Sequence, residues 1–406
     1  MEKLKLKYNS FKTNYNIDEK VFIVLAISIF LPYFITALVM IGVAIYALIK
    51  KDVVRYALKS RKNIVIYIFC LYSLIVSTVA ENWIGFAISI GLFLIFNVII
   101  YYEKIVNKKL FEKMIDVMIF MSLISVGYAI IEQFFYFNPL EGYLSYFDID
   151  NKPEFRVHAF YFNANYYALI LIFVEIMCLY KALHSKDRRI FYICASLANF
   201  FALYLTGSRT GWIALIFALI IIFALSNRIK EIMITLGVGF VMVVATVFNL
   251  PIIPRLTEYG TGLGRRQQIY DTAVLMIKDN PLFGKGPLTY LYQHEDYLSK
   301  YINIFGNHDL GKLGIASQHA HSIFLEPFVS FGVIGSFLLF GYLLISLMDV
   351  LLVYSKSYDR EMAVFIFGIM AATLAANVLD FPIFWIQTGL LFLLLISSIR
   401  IYKKKR

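Results

Sequence analysis

Charged side chains are scarce in this chain. They make up 16% of its 406 residues, where soluble domains carry roughly a quarter. Set against 60% hydrophobic residues, that shortage excludes an ordinary soluble globule. Cysteine is nearly absent, and the three present, Cys70, Cys178 and Cys194, all fall inside apolar runs. A disulfide framework is thereby excluded. The first twenty residues lack the short, apolar character of a cleaved leader and are expected to form a cytoplasmic tail. No internal repeat is evident either, which counts against the inverted-repeat transporters.

What the chain has in abundance is long apolar runs. They occur at about 21–49, 64–80, 83–102, 114–136, 160–180, 190–206, 212–225, 232–250, 322–348, 362–380 and 383–399. A helix needs ~17–25 mostly apolar residues to cross the hydrocarbon core, and these runs nearly fill the sequence. The first contains Pro32 and has lysines before it and Lys50, Lys51, Arg55, Lys59, Arg61 and Lys62 after it. Both flanks favour the cytoplasm, so two passes suit it better than one.

The net charge of +11 would suit nucleic acid, but most basic residues sit between runs, in the pattern that orients membrane proteins. Counted this way, the fold is an all-α polytopic membrane protein of about twelve transmembrane helices with both termini cytoplasmic. Residues 1–20 form the tail, 21–250 the first nine spans, 251–320 a large outward loop, 321–399 the last three spans and 400–406 a basic tail.

Some cations break that pattern. Arg156, Arg209, Arg255, Arg265 and Arg266 fall on outward segments. Headgroup snorkelling explains any one of them; several from separate loops suggest a bound anion, for which Arg is well suited. Apolar residues Ile269, Ala273, Met276 and Ile277 recur at helical spacing, so 265–279 reads as an amphipathic helix. Arg265 and Arg266 would then sit in its first turn, where the helix dipole disfavours cations unless an anion is present.

His319 and His321 stand at the mouth of an apolar helix, with Glu326 beyond them inside the span. Ionisable groups in spans are functional candidates, and a surface histidine suits general-base chemistry. An interfacial histidine without a task is the plainer alternative. Gly332, Gly335 and Gly341 would let another helix approach closely. Four histidines, including His294 and His308, lie on or beside the outward loop with Glu295, Asp296 and Asp309, but their spacings match no compact metal motif. Asp148 and Asp150 could hold a divalent ion, on a triplet too short to be specific. Asp116, Glu132, Glu175 and Asp380 are further polar residues within or at the ends of runs; Asp380 could pair with an outward arginine.

The segments RVHAFYFNANYYALI, TGSRTGW, GRRQQIYDTAVLMIKDNPLFGKGPLTY and HSIFLEPFVSFGVIG together resemble the O-antigen ligase and polysaccharide polymerase superfamily of bacterial membrane glycosyltransferases. The resemblance covers roughly residues 115–395. It departs in having Tyr270 where the family often has Trp, and Ser322 where Asn commonly follows the key histidine.

The resemblance implies a GT-C-like fold in the bacterial cytoplasmic membrane and a site on its extracytoplasmic face. The donor would be an oligosaccharide on a polyprenyl diphosphate, the acceptor a glycan, lipid or protein, and the reaction inverting. Neither metal nor cofactor would be needed, because a diphosphate is already a good leaving group. Carried over by position, Arg209 and Arg265 or Arg266 would bind the diphosphate and His321 would activate or orient the acceptor hydroxyl. Arg156, Asn165, Glu326 and Asp380 would support them. A flippase for lipid-linked glycan is the competing reading, and a non-catalytic scaffold a weaker one; polymerase and ligase both remain open.

Overall fold

A computed structural model describes residues 15–50, 52–135, 155–247, 261–305, 319–356, 359–378 and 380–403. The regular structure among them is helical throughout, with no strand. The first apolar run is broken, as its flanking charges suggest. Helix α1 (Ile17–Ser28) starts with a reciprocal capping box between Asn16 and Glu19. It ends before Pro32, which lacks an N–H and disfavours helical backbone at Leu31. Helix α2 (Tyr33–Ile49) follows. Side chains satisfy the carbonyls freed at the break: Thr36 donates to Ser28 at 2.7 Å, and Gln387 donates to Ile29 and Leu31 at 3.1 and 2.7 Å.

The chain continues through α3 (Asp52–Ala57), α4 (Arg61–Val79), α5 (Trp83–Ile105), α6 (Lys108–Phe135), α7 (Ala164–His184), α8 (Arg189–Leu205), α9 (Arg209–Leu225) and α10 (Ile229–Val247). After these come α11 (Thr261–Asp279), α12 (Thr289–Phe305), α13 (Leu325–Ser355), α14 (Arg360–Val378), α15 (Ile386–Ser397) and α16 (Arg400–Lys403). Six of them, α4, α5, α6, α7, α13 and α14, are long and apolar enough to cross a membrane, and α2 and α9 are shorter apolar helices. This is a multi-pass helical membrane protein.

Helix α7 is its axis. It is buried on every side from Tyr166 to Cys178, whereas α8 and α10 expose Ile190, Leu197, Met233 and Phe240. A helix apolar all round is either buried in protein or faces lipid. Here α7 takes the first role, packed by α6, α8, α9, α14 and α15, and the surrounding helices take the second. Glu175 lies within α7, and Ser196 on α8 donates to its carboxylate at 2.5 Å.

One topology signal has a different role. Lys62, grouped by sequence with cytoplasmic charges, is buried at the start of α4 and hydrogen-bonds to the buried Glu103 of α5, with Asn63 donating to the same carboxylate at 3.3 Å. Removing one partner of a buried ion pair costs about 3–5 kcal/mol, because the other charge stays desolvated. Glu103→Ala should therefore lower the unfolding temperature in detergent clearly more than Asp52→Ala, whose partner Lys104 is partly exposed. Equal shifts would show the buried pair to be dispensable.

The 251–320 region contains two described helices rather than one. Helix α12 escaped notice because its buried face is aromatic: Tyr290, Tyr297 and Tyr301 pack with Ala273 and Met276 of α11 and Val329 of α13. The stretch joining the two helices does more than connect them. Helix α13 is interrupted at Gly332 (φ 59°, ψ −167°), where α-helical hydrogen bonding fails. Residues 280–287 fill the gap. Val333 and Ile334 donate to the Pro281 and Leu282 carbonyls at 2.9 and 3.2 Å, and Gly286 donates back to Ser330 at 2.7 Å. Tyr72 of α4 donates to Phe283 and Phe331 at 2.9 and 3.0 Å, and Asn82 to Lys285 and Pro287 at 3.1 and 2.9 Å. Irregular backbone at membrane depth needs such enclosure. Of the glycines expected to admit a helix, Gly332 thus admits a loop, and Gly335 admits the Tyr72 ring.

Candidate active site

The segment after Phe155 runs over buried Val157, His158 and Ala159 to Asn163, whose side chain accepts from Asn165 N–H at 2.8 Å and starts α7. That cap places Asn165 in the first turn, where it becomes a junction. Its carbonyl oxygen accepts from Arg156 Nη2 at 2.6 Å and from Ser208 Oγ at 2.8 Å. Its amide donates to Asp380 Oδ2 at 2.5 Å. Asp380, between α14 and α15, binds His321 Nδ1 through Oδ1 at 3.0 Å. Arg156 is held by a second bond, Nε to the Thr206 carbonyl at 2.8 Å. Residues distant in sequence thus form one hydrogen-bonded line from Arg156 to His321.

The protons on this line can be assigned. Burial would raise the Asp380 pKa, but the hydrogen bond and charge of His321 outweigh it and hold the carboxyl down at about 2. A carboxylate lowered in this way contributes stability above its ordinary pKa near 4 and loses it as pH falls through about 2. Across the neutral range Asp380 is therefore an acceptor. His321 must donate from Nδ1, and in a neutral imidazole the lone pair is then on Nε2.

His319 is oppositely disposed. Its Nδ1 accepts the His321 N–H at 3.1 Å, and its Nε2 meets the Tyr166 hydroxyl at 3.1 Å. Burial first, then the proximity of His321, lowers its pKa to about 4, so it is neutral. His321 itself has a left-handed backbone (φ 47°), a conformation that costs a non-glycine residue energy and clusters at functional sites. The buried Glu326 supports this turn by accepting the Ala320 N–H at 2.7 Å.

Ligand atoms of His319, His321 and Asp380 also lie within 4.8 Å of one another, as in a metal triad. A metal would compete with the bonds just described for the His319 and His321 Nδ1 atoms and the Asp380 oxygens. None of these bonds uses His321 Nε2.

Several sequence expectations are corrected. Asp380 pairs with His321 and Asn165, and Asn165 in turn accepts from Arg156. Glu326 lies in the first turn of α13, inside that apolar helix as expected. Helix α11 begins at Thr261, so Arg265 and Arg266 fall in its second turn; Gly262 and Gly264, read as loop, are helical. The anion argument from the helix terminus is correspondingly weakened.

Arg266 is half-buried, and both its charge and that of Asp380 act on Tyr270, whose pKa burial raises. The Tyr270 hydroxyl donates to the His321 carbonyl at 3.4 Å. Arg266 therefore approaches the same cluster. Arg209 is exposed at the first position of α9, next to Ser208. The side chain of Arg265 lies outside the described residues, as do Asp148, Asp150, Arg255, His308 and Asp309. His294 packs against Tyr290 within α12, apart from the cluster. Ser208 and Tyr166 were missed; a small polar residue before a span and a tyrosine in an apolar run give no signal in a single sequence.

Residues 194–340, from α8 into α13, match the family model described as O-antigen ligase. That stretch is similar to the O-antigen ligase family, which supports the resemblance to the O-antigen ligase superfamily. No curated protein matches it. The O-antigen ligase match, with the membrane-length helices, supports a membrane role in glycan ligation or polymerisation through glycosyltransferase-type chemistry. The O-antigen ligase match contains Ser208, Arg209, Arg266, His319 and His321. Asn165, Arg156 and Asp380 lie outside it and are joined to it by the hydrogen bonds above.

Proposed function

We propose that this protein transfers an oligosaccharide from a polyprenyl diphosphate to a second glycan, lipid or protein at the outer face of the bacterial cytoplasmic membrane. It would cross about twelve times with both termini cytoplasmic, as its Lys and Arg distribution favours. The observation that carries the reading is the ionised Asp380 holding His321 by Nδ1, which gives the neutral ring its lone pair at Nε2. That nitrogen accepts the acceptor's hydroxyl proton as its oxygen attacks the anomeric carbon from the side opposite the diphosphate. The bond to the diphosphate breaks, the configuration inverts, and Arg209 and Arg266 stabilise the charge gathering on the departing phosphate.

A cavity of about 580 Å3 beside the cluster supports a lipid-linked donor. Glu326 and Phe381 lie at its wall, and it runs between Phe69, Phe96, Leu343, Trp385 and Leu393. Its lining is overwhelmingly apolar, which suits an isoprenoid chain. Diphosphate expulsion by arginines requires no divalent ion, so the proposed reaction is metal-independent.

The test is transfer by purified protein in liposomes containing polyprenyl-diphosphate oligosaccharide, read as product length on a gel. Product should form, persist with chelator present, and fall about 10²-fold in Arg266→Ala, the scale of losing one charge-stabilising donor. No product from the folded protein, or strict dependence on Mg2+ or Mn2+, would overturn the scheme. Arg228→Ala, at the foot of α9 and paired with Glu231, serves as the control and should be unchanged.

A further inference from the structure

Two buried groups away from the reacting cluster are not used by the chemistry above. Glu132 ends α6, His158 lies in the segment leading to α7, and both are wholly buried. The Glu132 carboxyl accepts the His158 N–H at 3.2 Å to each oxygen and the Ala159 N–H at 2.8 Å. Ala159 is left-handed (φ 50°), a conformation a residue with a Cβ holds only when its surroundings impose it. This turn follows Arg156 by three residues and precedes Asn163 and Asn165. It therefore sets the spacing between the two ends of the Arg156–Asn165 hydrogen bond.

The His158 ring fixes the proton count. Its Nδ1 lies 2.8 Å from the Tyr161 carbonyl. A carbonyl only accepts, so Nδ1 carries hydrogen. Nε2 then faces Glu132 Oε1 at 3.3 Å, where two lone pairs would oppose each other in a buried space unless a proton lay between them. Burial lowers the His158 pKa to about 4, with the Arg156 charge acting in the same direction, which favours a neutral ring. Tyr167 of α7 is also within electrostatic reach of Glu132.

We infer that Glu132 and His158 share one buried proton, held on the carboxyl, and that this pair is a positioning device fixing Arg156 and Asn165 onto Asp380. The positioning half rests on the proposed transfer reaction; the proton does not. Glutamine reproduces a protonated glutamate, offering N–H to Nε2 and an oxygen to the Ala159 N–H.

Glu132→Gln should therefore keep transfer within a few-fold of the parent, while Glu132→Ala lowers kcat by about 10²-fold, the scale of an ångström's misplacement. Infrared spectra of the membrane-embedded protein at neutral pH should show a protonated-carboxyl stretch that Glu132→Gln removes. Absence of that difference band overturns the shared proton, whether or not transfer is observed. A Glu132→Gln variant as slow as Glu132→Ala, or a fully active Glu132→Ala, overturns the positioning. Should the alanine variant not fold, the infrared band and the glutamine variant's kcat still decide the matter.

Discussion

His321→Ala is expected to cut glycan transfer by about 10²–10⁴-fold, the range attributable to a positioned proton acceptor. Folding should be little affected, because His321 is partly exposed and Glu326 holds the turn through the Ala320 backbone. The loss should appear in kcat, with donor binding retained. Asp380→Asn is the sharper companion. Its amide would have to serve both His321 Nδ1 and Asn165, and if the N–H faces the imidazole, the ring hydrogen moves to Nε2. The lone pair is then removed from the reacting side with little change of shape.

In cells lacking their own copy, both variants should accumulate single units on lipid carrier if the enzyme is a polymerase. Long lipid-linked chains that stay unattached would identify a ligase. Wild-type glycan from His321→Ala at normal abundance would remove this residue from the chemistry and bring the flippase reading forward.

The second large effect concerns folding. Gly332→Ala is expected to deplete folded protein from the membrane. At φ 59° and ψ −167° the backbone occupies a region essentially reserved for glycine, costing other residues about 1–3 kcal/mol. A Cβ there would also fall on the Leu282 carbonyl group, whose oxygen accepts the Ile334 N–H. That group is backbone pinned among three helices, so relaxation is limited. Gly341→Ala on the same helix is the comparison, since its nearest neighbour is the Val65 side chain at 4.0 Å. Melting curves in detergent should separate the two. Matching curves would mean that residues 280–287 yield easily.

Much of this was readable in the residues alone, for identifiable reasons. Membrane spans are legible because lipid imposes a single apolar criterion on every turn. The break before Pro32 was legible because charge on both flanks demanded an even number of passes. The histidine turn stood out as ionisable groups beside an apolar run. The pairing of Asp380 with His321 was not legible: 59 residues separate them, and nothing local distinguishes a carboxylate that meets imidazole from one that meets guanidinium. Arg265 and Arg266 were placed a turn too early because glycine signals a loop in sequence, although a helix can continue through it at modest cost. Asn165 was named as support, but its role as a junction depends on three elements meeting at one side chain.

The repaired break in α13 also constrains how the chain can be made. The carbonyls that receive the Val333 and Ile334 amides belong to residues synthesised some fifty positions earlier. When α13 emerges, residues 280–287 must already be on their final side of the bilayer and folded back toward α4. Until then the helix enters lipid with unsatisfied amides in its first third. Completion of this span is therefore an ordered event in biogenesis, dependent on a connecting segment having arrived first.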